Sequence, residues 1–462
     1  MADHSPIFWP VARLIEAYKA RELSPVEVTE DALARIAALD AQLHSYLSVT
    51  PEIALDQARD AERSYRDADG PRAPLLGVPV SIKDLFDVRG AFTTLGSRFY
   101  GGEPAEIDSA PVALLRSAGS VFLGKTNTAE FGQSATTDNL LGPACGNPWD
   151  PSRTSGGSSG GAAASVGAGL ASMALGSDGG GSIRIPAAMC GLFGIKPTFS
   201  EIPEAESFRG MTEFVCAGPI TRTVDDSRRM LAVIQQRSLQ RGERGVRRRI
   251  AWCPSPEAHA IDPGVRSATE AAVQVLADLG HEIEEVSLPL EGWAQAFGPI
   301  VLQDEWRYRR HLLEKADQLT FYARRAIEAG VNVTDDDVAT ALRMQEVIQA
   351  RVAGVLEDHD FIVTPTTACV AFPNGDRPTE IDGVRIDSLW GPFPFTAPFN
   401  VSGSPAASIP VGMEQGMPVG LQVVGAHHAE GAVLDFCEDL EEAIPYTVDE
   451  MSKRWGNVDI RN

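Results

Sequence analysis

After Ser24-Pro25-Val26-Glu27, apolar side chains recur at helical spacing, with Val28, Ala32, Leu33, Ile36 and Leu39 on one face. Ser24 as cap, Pro25 at the first helical position and Glu27 two residues further on form a capping box, so the pattern predicts an amphipathic helix. From Leu75 to Lys83 the period shortens to two. Val78, Val80 and Ile82 fall on one side and Pro79, Ser81 and Lys83 on the other, which predicts a strand with Lys83 at its end. A helical run over Pro111 to Ser117 feeds an apolar strand at Val121 to Leu123 and then the polar stretch Gly124 to Asn127. Ala162 to Ala174 is a strong helix former, apolar on most sides, and predicts a buried helix flanked by glycines, not a flexible tether. Arg249 to Cys253, Val265 to Leu279 and His281 to Leu288 read as strand, helix and strand, with Asp262-Pro263 opening the helix. Trp293 to Leu356 is helical in character, with breaks predicted near Gly298-Pro299 and Gly330 to Asp335. A strand at Phe361 to Thr364 and a Pro/Gly-rich loop at Phe372 to Pro398 follow. Strands alternating with helices, without an internal repeat or a linker, predict an α/β fold: a single large domain over residues 1–462, its central mixed β-sheet flanked by helices.

Charge narrows the partners. The 462 residues carry 40 Lys+Arg against 63 Asp+Glu, a net charge of −23, which repels phosphate backbones and anionic membrane surfaces. Neither nucleic acid nor membrane is therefore an expected partner. The one basic cluster, Arg241, Arg244, Arg247, Arg248 and Arg249, reads as a solvated connection. No stretch approaches the roughly 18 to 20 apolar residues of a membrane span, and Met1 to Pro10 lacks the basic start and apolar run of a secretory leader, so a cytoplasmic location is expected. Six cysteines lie without paired spacing and read as buried free thiols. No Cys/His spacing suits zinc, and no metal or cofactor is implied.

Two short motifs compete for attention. Gly119-Ser120-Val121-Phe122-Leu123-Gly124-Lys125-Thr126 satisfies the phosphate-loop expression, but that loop needs a strand before its first glycine, and here a helix precedes and the interior is itself strand-like. Gly157-Ser158-Ser159-Gly160-Gly161 matches a nucleophile elbow centred on Ser159; such an elbow needs a histidine base, and none lies between His44 and His259, although a more distant one can fold back.

Lys83 at a strand end, Ser158 in the first glycine cluster and Ser182 after Asp178-Gly179-Gly180-Gly181, 24 residues beyond Ser158, together resemble the amidase signature family. Outside the Gly/Ser-rich core of Asn147 to Thr198, Gly77 to Asp84, Gly124 to Asn127, Ile195 to Thr198, Gly218 to Arg222, Thr364 to Thr366, Pro398 to Asn400 and Pro418 to Gln422 fit as well, so the resemblance runs from about residue 11 to about 445. It implies that Ser182 is the nucleophile, that Ser158 bridges it to the base Lys83 beside a cis peptide, that Gly179, Gly180 and Gly181 form an oxyanion hole, and that Ser159, Asp178 and Arg184 support them. The chemistry agrees: a serine hydroxyl needs an adjacent base, and a lysine serves when burial keeps it neutral. The resemblance further implies a signature core at about 75–225 and a variable, specificity-bearing region at about 290–395. Substrate-binding residues are expected at Phe131, Gly132 and Gln133 and in Phe131 to Asn139, Ile202 to Cys216, Trp293 to Leu356 and Phe372 to Ala397. Phe208, Met211, Phe214, Trp293, Phe297, Trp306, Trp390, Phe393 and Phe395 in those segments favour an apolar or aryl amide, a small-molecule substrate. Anilides, carbamates and esters suit the same machinery. Two other classes stand beside hydrolysis: the glutaminase-type chain of a glutamine-dependent tRNA amidotransferase, from whose pattern Phe199 to Gly218 departs, and a binding protein that has kept the fold alone. A homodimer is compatible with either.

Overall fold

The computed structural model describes residues 5–67, 72–202, 213–444 and 448–456. Its strands, in chain order, are β1 (Tyr46–Val49), β2 (Pro79–Lys83), β3 (Val121–Thr126), β4 (Met173–Asp178), β5 (Phe193–Lys196), β6 (Cys216–Thr221), β7 (Arg249–Trp252), β8 (Glu282–Glu285), β9 (Phe361–Pro365), a small ribbon of β10 (Glu380–Ile381) and β11 (Val384–Arg385), β12 (Ala406–Glu414) and β13 (Met417–Val424). All but the ribbon join one mixed sheet in the order β1-β3-β2-β4-β6-β5-β12-β13-β9-β7-β8. β2 runs parallel to both β3 and β4, β7 parallel to β8 and β9, and the middle of the sheet is antiparallel. Helices cover both faces, which is why β2 to β6 are buried at every position and carry almost no alternation. The predicted α/β class with a central mixed sheet is therefore observed.

Local expectations hold where the cap chemistry is explicit. Ser24 caps the helix Pro25–Leu43 with its full capping box, and Asp262 caps Pro263–Asp278. Two expectations are corrected. The Ala-rich helix spans only Gly160–Gly167; Gly169 turns the chain at φ +64°, and Met173 to Ala174, helix formers by propensity, open β4 because the slot between β2 and β6 needs a strand. Conversely, Gly298-Pro299 does not break Trp293–Arg309, which packs along Asp335–Asp358; the interruption comes instead at the 3-10 segment Arg310–Gln318. Gly124 and Lys125 lie within β3, so the phosphate-loop pattern has no loop.

Candidate active site

Strand β2 delivers Lys83 into the core, where it is fully buried. Its Nζ donates to Ser158 Oγ at 2.7 Å, Ser159 Oγ at 2.8 Å and Ser177 Oγ at 2.9 Å, with Ser177 O at 3.4 Å. No carboxylate of the described residues pairs with it. Burial holds the ammonium well below its ordinary range, opposed only by the charge of Asp178. The protonated form of this amine is therefore the one that burial disfavours. Ser159, the elbow serine, donates to Ser177 O at 3.1 Å, and no histidine among the described residues bonds to it.

Ser158 follows a cis peptide bond at Gly157-Ser158. Thr137 fastens this loop: its hydroxyl donates to Gly156 O at 2.8 Å and accepts from the Gly160 N–H at 3.0 Å. The Ser159 N–H donates to Ser182 O at 3.2 Å, tying the first glycine cluster to the second. Ser158 and Ser182 line one cavity together with Ser177, Gly179 and Gly180. Ser182 is 6% exposed, and no hydrogen bond to its hydroxyl is formed by the described residues.

Behind this wall lies a saturated ion pair. Arg184 donates to Asp178 through Nε and Nη2, both at 2.9 Å, and also to Thr396 O, Gln422 Oε1 and Asn400 Oδ1. Burial alone would raise the Asp178 carboxyl; the Arg184 charge and hydrogen bonds, with Asn400, hold it well below the usual carboxylate range. Asp178 also accepts from the backbone N–H of Gly181 at 2.7 Å and of Ile183 at 3.2 Å. Gly181 thereby leaves the expected trio of free donors. Its N–H is committed, its φ of +126° disfavours any side chain, and a Cβ there would collide with Thr396 Oγ1. Gly179 and Gly180 remain on the cavity wall.

The cavity leaves room of about 40 Å³ beside the serines and is bounded by Leu85, Leu95, Phe131, Gly132, Gln133 and Val215. Phe131, Gly132 and Gln133, the expected substrate-binding residues, stand on this wall. Gln133 Nε2 donates to Glu305 Oε1 at 2.8 Å, and Arg309 pairs with the same oxygen, its guanidinium 4.4 Å from the Phe131 ring centre. Burial raises the Glu305 carboxyl, with the Arg309 charge opposing. Gln133, Phe297, Val301 and Trp390 also line a second, wider space of about 510 Å³ that leads outward past Trp293 and Leu302. Of the other expected pocket aromatics, Phe214, Phe393 and Phe395 are core, Phe214 stacking on Phe297 at 5.2 Å, and Trp306 packs under the site. Phe208 and Met211 lie outside the described residues. Sequence reasoning missed Ser177, Thr137, Glu305 and Arg309; only Ser177, directly before Asp178 in the glycine-run motif, carried a local signal.

Among the described residues no helix is long and apolar enough to cross a membrane. The glutamyl-tRNA(Gln) amidotransferase A chain of Carboxydothermus hydrogenoformans is 33% identical over 476 residues, spanning 93% of this chain and 96% of that protein. A crystal structure of a bacterial aryl acylamidase of the amidase signature family superposes with a TM-score of 0.87 at 26% identity, covering 98% of this chain and 99% of that one. The crystal structure of an amidase gives 0.87 at 30% identity, with coverage of 94% and 100%. The family model described as Amidase matches residues 27–434, and with the resemblance in its motifs and the agreement in its fold, the chain belongs to the amidase family.

Proposed function

We propose that this protein hydrolyses carboxamides through an acyl-enzyme on Ser182, with an apolar or aryl substrate favoured. The observation that carries the reading is Lys83: a fully buried amine, depressed by that burial, held against Ser158 Oγ at 2.7 Å and free of any carboxylate partner among the described residues. In this reading neutral Lys83 takes the Ser158 proton as Ser158 takes that of Ser182. Ser182 Oγ bonds to the amide carbon, and the developing oxyanion is met by the N–H groups of Gly179 and Gly180. The proton returns through Ser158 to the amide nitrogen, the C–N bond breaks, and ammonia or an amine leaves. Water then adds to the ester with the same relay as base, giving the carboxylic acid and restoring Ser182. Thr137, Asp178 and Arg184 hold the two loops in place, and no step requires a cofactor. The core of about 75–225 supplies the chemistry and much of the inner wall, and the region of about 290–395 most of the wall of the outer space; anilides, carbamates and esters meet the same nucleophile. The test is product release from a panel of amides by purified protein, with Ser182→Ala as blank: equal turnover by that variant overturns the assignment.

A second reading, the glutaminase component of a glutamine-dependent amidotransferase, draws support from the curated relative at 33% identity. Glutamine would bring a carboxylate and an ammonium into the cavity. Arg309 is the one charged residue among the described lining of the inner space, and Glu305 already pairs with it. Ser182-dependent release of ammonia from glutamine, together with other protein chains that co-purify, would favour this reading over the first.

A further inference from the structure

A third pocket, of about 370 Å³, opens behind Thr136 and Thr137. It shares Leu389 with the outer space and no other lining residue with either of the spaces beside the serines. Thr136 and Thr137 are packed on the loop that carries Ser158: a Cβ at Gly157 would collide with the Thr136 backbone, and the Thr137 hydroxyl bonds to Gly156 O and to the Gly160 N–H. Another wall, Phe372 to Gly375, is fixed by the Thr154 N–H, which donates to Phe372 O at 2.8 Å, and by the Asn374 N–H, which donates to Ser152 O at 2.9 Å. Two opposite charges line this pocket. Arg377, half-buried, donates to Thr136 Oγ1 at 2.8 Å, to Ser134 Oγ at 3.4 Å and to Leu389 O, and to no carboxylate of the described residues. Asp138, also half-buried, accepts from the same Thr136 hydroxyl at 2.6 Å, and no cation of the described residues pairs with it. The two charges thus stand one hydroxyl apart without touching. Burial lowers the guanidinium from its ordinary range, with the charge of Asp138 opposing. The rest of the rim is apolar, since Phe321 is 61% exposed and Leu389 38%.

Apolar walls around a few convergent polar groups are what a small-ligand pocket presents, and the volume falls in the range of roughly 300–1,000 Å³ usual for one. A ligand with a carboxylate alone would meet the repulsion of Asp138, and one with an ammonium alone that of Arg377. A zwitterion answers both charges, and an α-amino acid holds its two charges on either side of a single carbon, a separation like that which one hydroxyl imposes here. We propose that this pocket is a second, non-catalytic site for a free α-amino acid with an apolar or aryl side chain. The carboxylate lies on Arg377, the ammonium on Asp138 and the side chain against Phe321 and Leu389. Asn374 donates through Nδ2 to Arg153 O at 3.2 Å, which leaves its Oδ1 as a further acceptor for the ammonium. The site stands apart from the hydrolase reading, because none of these groups takes part in the proposed relay.

Isothermal titration of the intact protein with L-phenylalanine tests the proposal, and saturable one-to-one binding is expected. Hydrocinnamate, which lacks the ammonium, and phenethylamine, which lacks the carboxylate, should each bind about 10-fold or more weakly, since each forfeits a hydrogen bond to a charged group. Arg377→Gln should lower the affinity for L-phenylalanine by about 10-fold or more. Phe321→Ala, at an exposed position where the fold loses little, should lower it about 5-fold and leave the affinity for L-alanine unchanged, so the proposal stays testable if Arg377→Gln does not fold. Neither residue lines the inner or the outer space, so these losses assign the ligand to this pocket. Absence of L-phenylalanine binding by the native protein overturns the proposal. So does hydrocinnamate bound as tightly as L-phenylalanine, which would make this a site for a carboxylate alone. Affinity unchanged in Phe321→Ala and in folded Arg377→Gln overturns it too, because the ligand would then sit elsewhere.

Discussion

Two lysines stand one register step apart on the adjoining parallel strands β2 and β3, both fully buried, and their surroundings differ in one respect. Lys125 Nζ meets Asp84 Oδ1 at 2.7 Å, Thr93 Oγ1 at 2.8 Å and Phe92 O at 3.2 Å, so its charge is answered. Lys83 meets three hydroxyls and a carbonyl. Asp84 follows Lys83 directly in the chain, yet at the end of β2 successive side chains point to opposite sides, and its carboxylate goes to Lys125. An ammonium taken from water without a counter-charge is disfavoured, and a paired one is tolerated. In the proposed mechanism, the difference between a base and a structural cation is therefore a single carboxylate, turned to one lysine and away from the other.

The comparison predicts opposite phenotypes. The largest effect belongs to the proposed nucleophile: Ser182→Ala should lower kcat by about 10⁴-fold or more with an unchanged thermal transition, measured by steady-state kinetics and circular dichroism. Next is Lys83→Arg, which keeps a cation but one that cannot be deprotonated. It should cost about 10² to 10⁴ in kcat/KM, the contribution typical of general base catalysis. Retained activity in Lys83→Arg would mean that Lys83 works as a charge, and the contrast with Lys125 would collapse.

How much of this contrast was legible follows from how local each signal is. Lys83, Ser158 and Ser182 stand in short motifs with fixed spacing, so their convergence was readable from the chain. Gly179, Gly180 and Gly181 look equivalent as letters; only the Asp178 carboxylate, accepting from Gly181, separates the third from the other two. The wall of the cavity was the least legible part. Gln133 finds Glu305 across 172 residues, and nothing in either neighbourhood announces the pairing. The start of β4 was misread for a related reason, since Met173 and Ala174 prefer helix until a gap between two strands is offered to them.

On the structural side, Lys125→Met should leave Asp84 as a buried carboxylate without its cation. Breaking such a pair costs about 3–5 kcal/mol, read as a lower urea midpoint with unchanged slope. Activity per folded molecule should change little by comparison with Lys83→Arg. Adding Asp84→Asn to that variant should recover part of the loss, because the remaining oxygen can still accept from the Thr94 N–H, 2.9 Å from Asp84 in the native chain. If Lys125→Met instead abolished turnover at full stability, the two lysines would share the proton and the division between them would be wrong.

The smallest effect is the most discriminating. Ser177 Oγ accepts from Lys83 Nζ at 2.9 Å and so favours the charged amine, against the burial that lowers it. In the proposed mechanism activity requires the neutral amine, so it should fall as pH drops through the depressed Lys83 value, giving the acid limb of kcat/KM. Ser177→Ala removes an acceptor of the ammonium, lowers that value further and should move the limb to more acidic pH. A hydrogen bond worth about 1 kcal/mol corresponds to a shift of about 0.7 pH unit. A limb that moved to higher pH would mean that the Ser177 hydroxyl donates to the neutral amine in the resting enzyme, so that its loss penalises the base. A limb that stayed in place would take Ser177 out of the set of hydroxyls that distinguish Lys83 from Lys125.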